Sequence, residues 1–307
     1  MTARVLYIGL GNIGRGMAKN IANKANIDQP ILLFNRSPQR SLNLQAELSP
    51  DKATIVDSIA AGVAQADVVF LCVIDDKSAE ETVDEILKSN VQGKLIINCT
   101  TVSPTTSDKL GQLVEATGAD YVASPVVGQQ PVAEAGELLA LLSGPEASVK
   151  RALPFYKGVT ARAVVNLSGQ PYGKALTLKI VGNTLIFSMV EQVAESLVFA
   201  EKAGLGTDAI HSWVENVFGF PFSYYSERMV SGDYYRRDYP AAHIDGSIEV
   251  SGHAKELASA VGAHLPILDI VVENLAKIKE IKGDKGDLAG IYGIVRMKAG
   301  LPYENQE

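Results

Sequence analysis

Val5-Leu6-Tyr7-Ile8-Gly9-Leu10-Gly11-Asn12-Ile13-Gly14, at the start of a 307-residue chain, decides the fold. The first four residues make an apolar run of strand length. Ile13, Met17 and Ile21 then recur at four-residue spacing, which predicts the inner face of a helix. Glycines in the pattern G-x-G-x-x-G between a strand and a helix form a dinucleotide-binding fingerprint. Gly9 permits the tight turn, Gly11 lets a pyrophosphate approach the backbone, and Gly14 lets the helix pack on the strand. The N–H groups and dipole at the helix start, around Asn12 and Ile13, favour the anionic phosphates.

Outward from this turn, strand-like and helix-like segments alternate through the first half, which predicts a parallel sheet covered by helices. Ile31–Phe34 reads as the second strand and ends in Asn35-Arg36-Ser37-Pro38. An acid at this place would bind the ribose 2′-hydroxyl of NAD, and none is present. Asn35 and Ser37 can hydrogen-bond a phosphate and Arg36 can pair with its charge. The stretch therefore predicts NADP(H), against the plainer account of a solvated turn. Asp67–Val73 is a near-continuous apolar run, as a central parallel strand should be. The loop after it, with Val73, Ile74 and Ser78, is a candidate neighbour of the cofactor, while Asp75 and Asp76 read equally well as helix caps. Leu95–Asn98 is the next strand, and Thr101 follows where a hydroxyl can meet a ligand. Tyr121–Pro125 is expected to be a strand, 126–131 a loop around Gly128, and 137–142 and 163–166 edge strands around a helix. Cys72 and Cys99, both at strand ends, read as buried inert thiols.

The formal net charge of −7 argues against nucleic acid or an anionic membrane surface as the main partner. Two cysteines without a C-x-x-C fit a reducing compartment and supply no zinc framework, so no metal is expected. No run of about 20 apolar residues predicts a membrane span. A strand that begins almost at once leaves no room for a signal peptide, and a cytoplasmic protein is expected.

From about Tyr172 to Ala203 the pattern reads as one long apolar helix ending at Gly204-Leu205-Gly206. Such a helix should be the spine of a helical domain, with a core possible between partner subunits. Lys179 and Asn183, four apart, share a face. A partly desolvated lysine has a lowered pKa and can protonate a developing alkoxide, with Asn183 orienting the substrate oxygen. Spacing alone also allows a solvated or helix-paired Lys179. Lys174 is the competing lysine, but its i+4 neighbour is Leu178. The aromatic-rich stretch from Trp213 to Tyr239 reads as helical core and subunit interface, or as a larger substrate pocket. His243 is more simply structural than a proton donor. Asp269–Lys282 reads as a late amphipathic helix, and the tail 301–307 is expected to fray.

These residues together resemble the β-hydroxyacid dehydrogenases, which include 3-hydroxyisobutyrate dehydrogenases and tartronate-semialdehyde and glyoxylate/succinic-semialdehyde reductases, and which share the NADP-binding domain of 6-phosphogluconate dehydrogenase. The resemblance rests on Gly9–Gly14 with Met17, Ala18 and Asn20, on Asn98–Pro104, on Pro125–Gly128, on Gly169, on Lys179 to Asn183 and on Glu195 to Gly204. It implies that Lys179 is the catalytic lysine, Asn183 the substrate-orienting asparagine and Thr101 a cofactor contact. It also implies that Val127, Gly128 and Gln129 form the substrate loop. Two departures stand out. The family's loop usually reads Pro-Val-Ser-Gly-Gly, so Val127 lacks a hydroxyl and Gln129 narrows the space. A cofactor-contacting lysine usual before the segment Gly262 to Pro266 is missing near Ile248-Glu249.

The fold expected is α/β: an N-terminal Rossmann doubly wound sheet, residues 1–167, and an all-α substrate and dimerisation domain, residues 168–307, joined by a long interdomain helix. The function expected is NADPH-dependent hydride transfer to or from a small carbonyl, hydroxy-acid or semialdehyde-like substrate, in a homodimer or homotetramer. The alternatives are an imine or enamine reductase-like enzyme and a non-catalytic NADPH-binding protein.

Overall fold

A computed structural model describes residues 2–305. The chain divides into two compact units, Met1–Lys179 and Ile180–Glu307.

The first unit runs β1 (Ala3–Ile8), α1 (Asn12–Lys24), β2 (Ile27–Phe34), α2 (Pro38–Glu47), β3 (Ala53–Ile55), α3 (Ile59–Gln65), β4 (Val68–Leu71), α4 (Asp76–Leu87), β5 (Leu95–Asn98), α5 (Pro104–Glu115) and β6 (Asp120–Ala123). It continues through β7 (Val126–Val127), α6 (Gln130–Ala135), β8 (Leu138–Gly144), α7 (Glu146–Ala152) and β9 (Ala161–Ser168) into α8 (Gly173–Lys202). The sheet order is β3-β2-β1-β4-β5-β6-β8-β7, with β9 on β8. Strands β1 to β6 are parallel, and the order reverses between β1 and β4, where such sheets open a crevice beyond their carboxyl ends. Alternate residues of each strand feed two cores. Val5, Tyr7, Val68 and Phe70 pack with Met17 and Ile21 on one face, and Leu6, Ile8, Val69 and Leu71 with Val83 and Leu110 on the other. Burial on both faces explains the unbroken apolar runs.

Two expectations are corrected here. β8 is an interior strand, pairing with β6, β7 and β9, because antiparallel pairing at Ala123 to Ser143 extends the sheet beyond β6. The segment 126–131 is less a loop than the short strand β7 followed by the first turn of α6.

The second unit, the remainder of α8 with α9 (Thr207–Val217), α10 (Phe222–Val230), α11 (Asp233–Arg236), α12 (Ile244–Ala260), α13 (Pro266–Lys282) and α14 (Ile291–Lys298), is all helical. Its core gathers Phe187, Val190, Val193 and Leu197 of α8 with Met229, Val271, Leu275 and Tyr292. Gly204, at φ +77°, ends α8, and the Leu205 N–H donates to the Ala200 carbonyl, as the sequence anticipates. Of the aromatic stretch, Tyr225 and Tyr234 are buried, whereas Trp213, Phe218, Phe220 and Tyr239 are exposed. His243 caps α12, its Nδ1 accepting from the Asp245 N–H at 3.3 Å. The tail does not fray over 301–305. The Tyr234 and Tyr235 hydroxyls donate to the Tyr303 and Asn305 carbonyls, and Asn305 Nδ2 donates to the Val230 carbonyl at 2.6 Å. Gln306 and Glu307 lie outside the described residues. No helix among the described residues is long and apolar enough to cross a membrane.

Candidate active site

The glycine turn follows β1 at the carboxyl edge of the sheet. Gly9 has φ +94°, and a Cβ there would lie 2.1 Å from the Cys72 carbonyl oxygen. A Cβ on Gly14 would lie 2.1 Å from the Gly9 oxygen. The protein's own packing thus requires both. Gly11 differs: its φ of −71° and ψ of −171° suit any residue, and a Cβ would find nothing closer than Arg40 Nη1 at 3.9 Å. Nothing in the fold demands a glycine there, whereas a pyrophosphate lying against the backbone does, so the turn fits a dinucleotide. Asn12, exposed, and Ile13, half-buried, open α1 beside it.

Asn35 braces this turn. Its Oδ1 accepts from the Leu10 N–H at 2.8 Å and its Nδ2 donates to the Ser37 carbonyl at 3.0 Å. Its side chain therefore ties β2 to the turn, rather than standing open to a phosphate as the sequence suggests. Arg36 and Ser37 are exposed, and Ser37 makes no side-chain cap bond to α2. Sequence reasoning missed Arg40 in the first turn of α2. Its signal was a cation placed against the helix dipole, an arrangement that favours a nearby anion.

Beyond β4, Asp75 and Ser78 form a capping box on α4: the Ser78 N–H donates to Asp75 Oδ1 at 2.7 Å and the Asp75 N–H to Ser78 Oγ at 3.1 Å. That occupies the Ser78 side chain, which the sequence offered to the cofactor, and decides for Asp75 as a cap. The Val73 N–H donates to Thr100 Oγ1 at 3.1 Å, and Ile74 is 79% exposed. Cys99 is buried, as expected, and Cys72 only partly so; desolvation drives the Cys72 thiol up to about 11 and that of Cys99 still higher, which keeps both protonated at neutral pH.

The start of α8 is fastened to the sheet. The Gly173 N–H donates to Asp108 Oδ1 at 2.8 Å, and Ser143 Oγ donates to the Tyr172 carbonyl at 2.6 Å while accepting from the Ala175 N–H. From this base Lys179 reaches the loop after β5, its Nζ donating to Thr101 Oγ1 at 2.5 Å. Cys72 and Cys99 face the same nitrogen, and Cys72 also lies against Gly9, so the ammonium shares the carboxyl edge with the glycine turn. Burial lowers the Lys179 pKa to about 8. The competing Lys174 is exposed. Asn183 stands one helical turn further on, in the second unit.

The loop Val127-Gly128-Gln129 is held from two sides. Val127 pairs with Leu139, and a Cβ on Gly128, at φ +145°, would lie 2.7 Å from Leu138 Cδ2. Helix α6, which begins just after Gln129, is clamped to α1 by Asn20 Nδ2, which donates to the Ala133 and Glu134 carbonyls at 2.9 and 3.1 Å. The nucleotide helix thereby braces the candidate substrate loop.

Comparison with known proteins agrees with this fold. Residues 4–169 match the NAD binding domain of 6-phosphogluconate dehydrogenase. The chain is 32% identical over 292 residues to the NADH-dependent oxidoreductase ucdB of Aspergillus ustus, covering 95% of this chain and 98% of the relative. It is 27% identical over 207 residues to glyoxylate/succinic semialdehyde reductase 1 of Arabidopsis thaliana, covering 66% and 68%. The solved structure of Mycobacterium tuberculosis 3-hydroxyisobutyrate dehydrogenase with L-serine shares the fold at a TM-score of 0.82 and 21% identity, covering 96% of this chain and all of that one. The chain belongs to the β-hydroxyacid dehydrogenase family, carries the family's nicotinamide-dinucleotide domain, and is an oxidoreductase.

Proposed function

We propose that the protein is an NADPH-dependent oxidoreductase that interconverts a small carbonyl compound, of the hydroxy-acid or semialdehyde type, and its alcohol, with Lys179 as proton carrier. The observation that carries this is the Lys179 ammonium, near-neutral in pKa, at the carboxyl edge that also bears the glycine turn. Gly9, Gly11, Asn12, Ile13 and Gly14 receive the pyrophosphate. Arg36 and Ser37 take the 2′-phosphate, with Arg40 adding positive charge. Val73 and Ile74 border the nicotinamide half, and Thr101 stands beside Lys179. Bound nicotinamide supplies or accepts the hydride. Below about pH 8 the Lys179 ammonium protonates the nascent alkoxide, and in the reverse direction the neutral amine takes the alcohol proton. Asn183 orients the reacting oxygen, and the backbone at Val127, Gly128 and Gln129 holds the far end of the substrate. Residues 1–167 serve as the NADP-binding domain and 168–307 as the substrate and dimerisation domain. Val181, Leu185 and Phe199, all exposed apolar residues of α8, serve as a contact in a homodimer or homotetramer.

The Aspergillus relative's name specifies NADH. NADPH is preferred here because the turn after β2 has no acid and presents Arg36. An available proton on Lys179 favours carbonyl reduction over imine reduction. The test is Lys179→Met assayed against glyoxylate, semialdehydes, bulkier aldehydes and cyclic imines. A fall in kcat of about 10²–10⁴-fold with unchanged NADPH affinity supports the reading. Undiminished turnover means a different proton donor, and a wild type that binds NADPH but turns over none of these compounds is a nucleotide-binding protein.

A further inference from the structure

The loop that receives Lys179 is tied down by every polar side chain except one. The Cys99 N–H donates to the Leu71 carbonyl at 2.7 Å, the Thr100 N–H to Asn98 Oδ1 at 2.9 Å, and the Ser103 N–H to the Asp76 carboxylate at 3.1 Å. The Thr100 hydroxyl holds Val73, and the Ser103 hydroxyl caps α5 by accepting from the Thr106 N–H. The Thr101 hydroxyl has no such task within the loop. Its partner is Lys179 Nζ, on an element separated by 78 residues.

We propose that Thr101 is a positioning residue for proton transfer, its hydroxyl holding Nζ on one line before and after the proton has left. A hydroxyl has one donor and two acceptor sites and can rotate between them. Toward the ammonium, Thr101 Oγ1 accepts, as observed. Once Nζ has given its proton to the alkoxide oxygen, the same hydroxyl turns and donates to the amine lone pair. Thr101 keeps its own proton throughout, so the transfer balances between Nζ and substrate oxygen alone. The role differs from the cofactor contact that the family resemblance implies, and it rests on Lys179 being the proton carrier.

The arrangement also has a signature in pH. An acceptor for the ammonium favours the charged form and works against the burial that depresses it. The titratable groups facing Lys179 are the Cys72 and Cys99 thiols, from the ends of β4 and β5, and both stay protonated through the neutral range. The high-pH limb of carbonyl reduction therefore belongs to Lys179. Thr101→Val, nearly isosteric, removes the acceptor and should move that limb about one pH unit lower, since a hydrogen bond to a charged group is lost. It should lower kcat about 10- to 100-fold through a misaimed donor. Thr101→Ser should restore both.

The experiment measures kcat/KM for reduction from pH 6 to 10, with NADPH affinity by fluorescence titration, for wild type, Thr101→Val, Thr101→Ser and Lys179→Met, with melting curves to verify folding. A shifted limb, rescued by serine, at unchanged NADPH affinity supports the proposal. An unmoved limb with weakened NADPH binding makes Thr101 a nucleotide contact and overturns it, as does a serine variant no better than valine. If Lys179→Met turns over normally, the proton-carrier reading itself fails, whatever the threonine variants do.

Discussion

Gly11→Ala separates folding from binding at the nucleotide turn. The backbone there, at φ −71° and ψ −171°, accepts alanine without strain, and the new methyl meets only Arg40 Nη1, at ordinary contact distance. Restricting the unfolded chain gains about 0.4–1 kcal/mol and the poorer N-cap costs a similar amount, so the nucleotide-free protein should keep its stability to within about 0.5 kcal/mol. With nucleotide the outcome reverses, because the methyl occupies the space into which the pyrophosphate would settle. Losing one or two charge-assisted hydrogen bonds costs about 2–3 kcal/mol, or roughly 30- to 140-fold in Kd. NADPH at about 100 times the wild-type Kd stabilises by about 2.7 kcal/mol, whereas a variant bound 100-fold more weakly gains about 0.4 kcal/mol at the same concentration. In a thermal-shift assay that is a wild-type rise of about 5–10 °C against about 1 °C for the variant. A folded Gly11→Ala protein with the full wild-type shift would refute the placement of the pyrophosphate. Gly14→Ala is the contrast: its methyl would sit 2.1 Å from the Gly9 oxygen, and that variant should lose stability without any nucleotide present.

Lys179→Met should also be more stable than wild type at pH 7, by about 1–3 kcal/mol. The folded pKa of about 8 lies below the unfolded value, so burying the ammonium costs stability below pH 8 and the cost fades as pH rises toward 10.5. Urea denaturation should show most of the pH 7 advantage gone at pH 10; equal stability at pH 7 would contradict a desolvated lysine. Arg36→Ala should weaken NADPH about tenfold or more and leave NADH nearly unchanged, by paired titration; equal losses would remove the 2′-phosphate contact. Leu185, 71% exposed, is the place to test assembly: Leu185→Asp should shift light-scattering mass to that of a monomer without lowering the melting temperature of the isolated chain, and an unchanged mass would move the contact elsewhere.

What local chemistry could announce, the sequence announced. The strand–glycine–helix turn, the apolar runs of β4 and β5, the Asp75 cap and the pairing of Lys179 with a helical spine all follow from residues near one another in the chain. What remained hidden depends on partners far apart. Nothing near Asn35 reveals that its amide will hold Leu10, and nothing near Ser143 or Asp108 reveals that they will fasten the start of α8. The interior place of β8 is hidden too, because strand order is a property of pairing across the sheet, not of the strand's own apolar pattern. Position at the chain end predicts a loose tail over 301–307, yet the tyrosines that hold 303 and 305 lie some seventy residues upstream.

The two cysteines beside Lys179 carry a practical consequence. A thiol near an ammonium usually invites alkylation and peroxide, since the cation draws out the thiolate that reacts. Here desolvation outweighs the cation and holds the Cys72 thiol protonated at pH 7. The enzyme should keep its turnover through long handling in air without added reductant, and maleimide dyes should find no quick foothold on the folded protein.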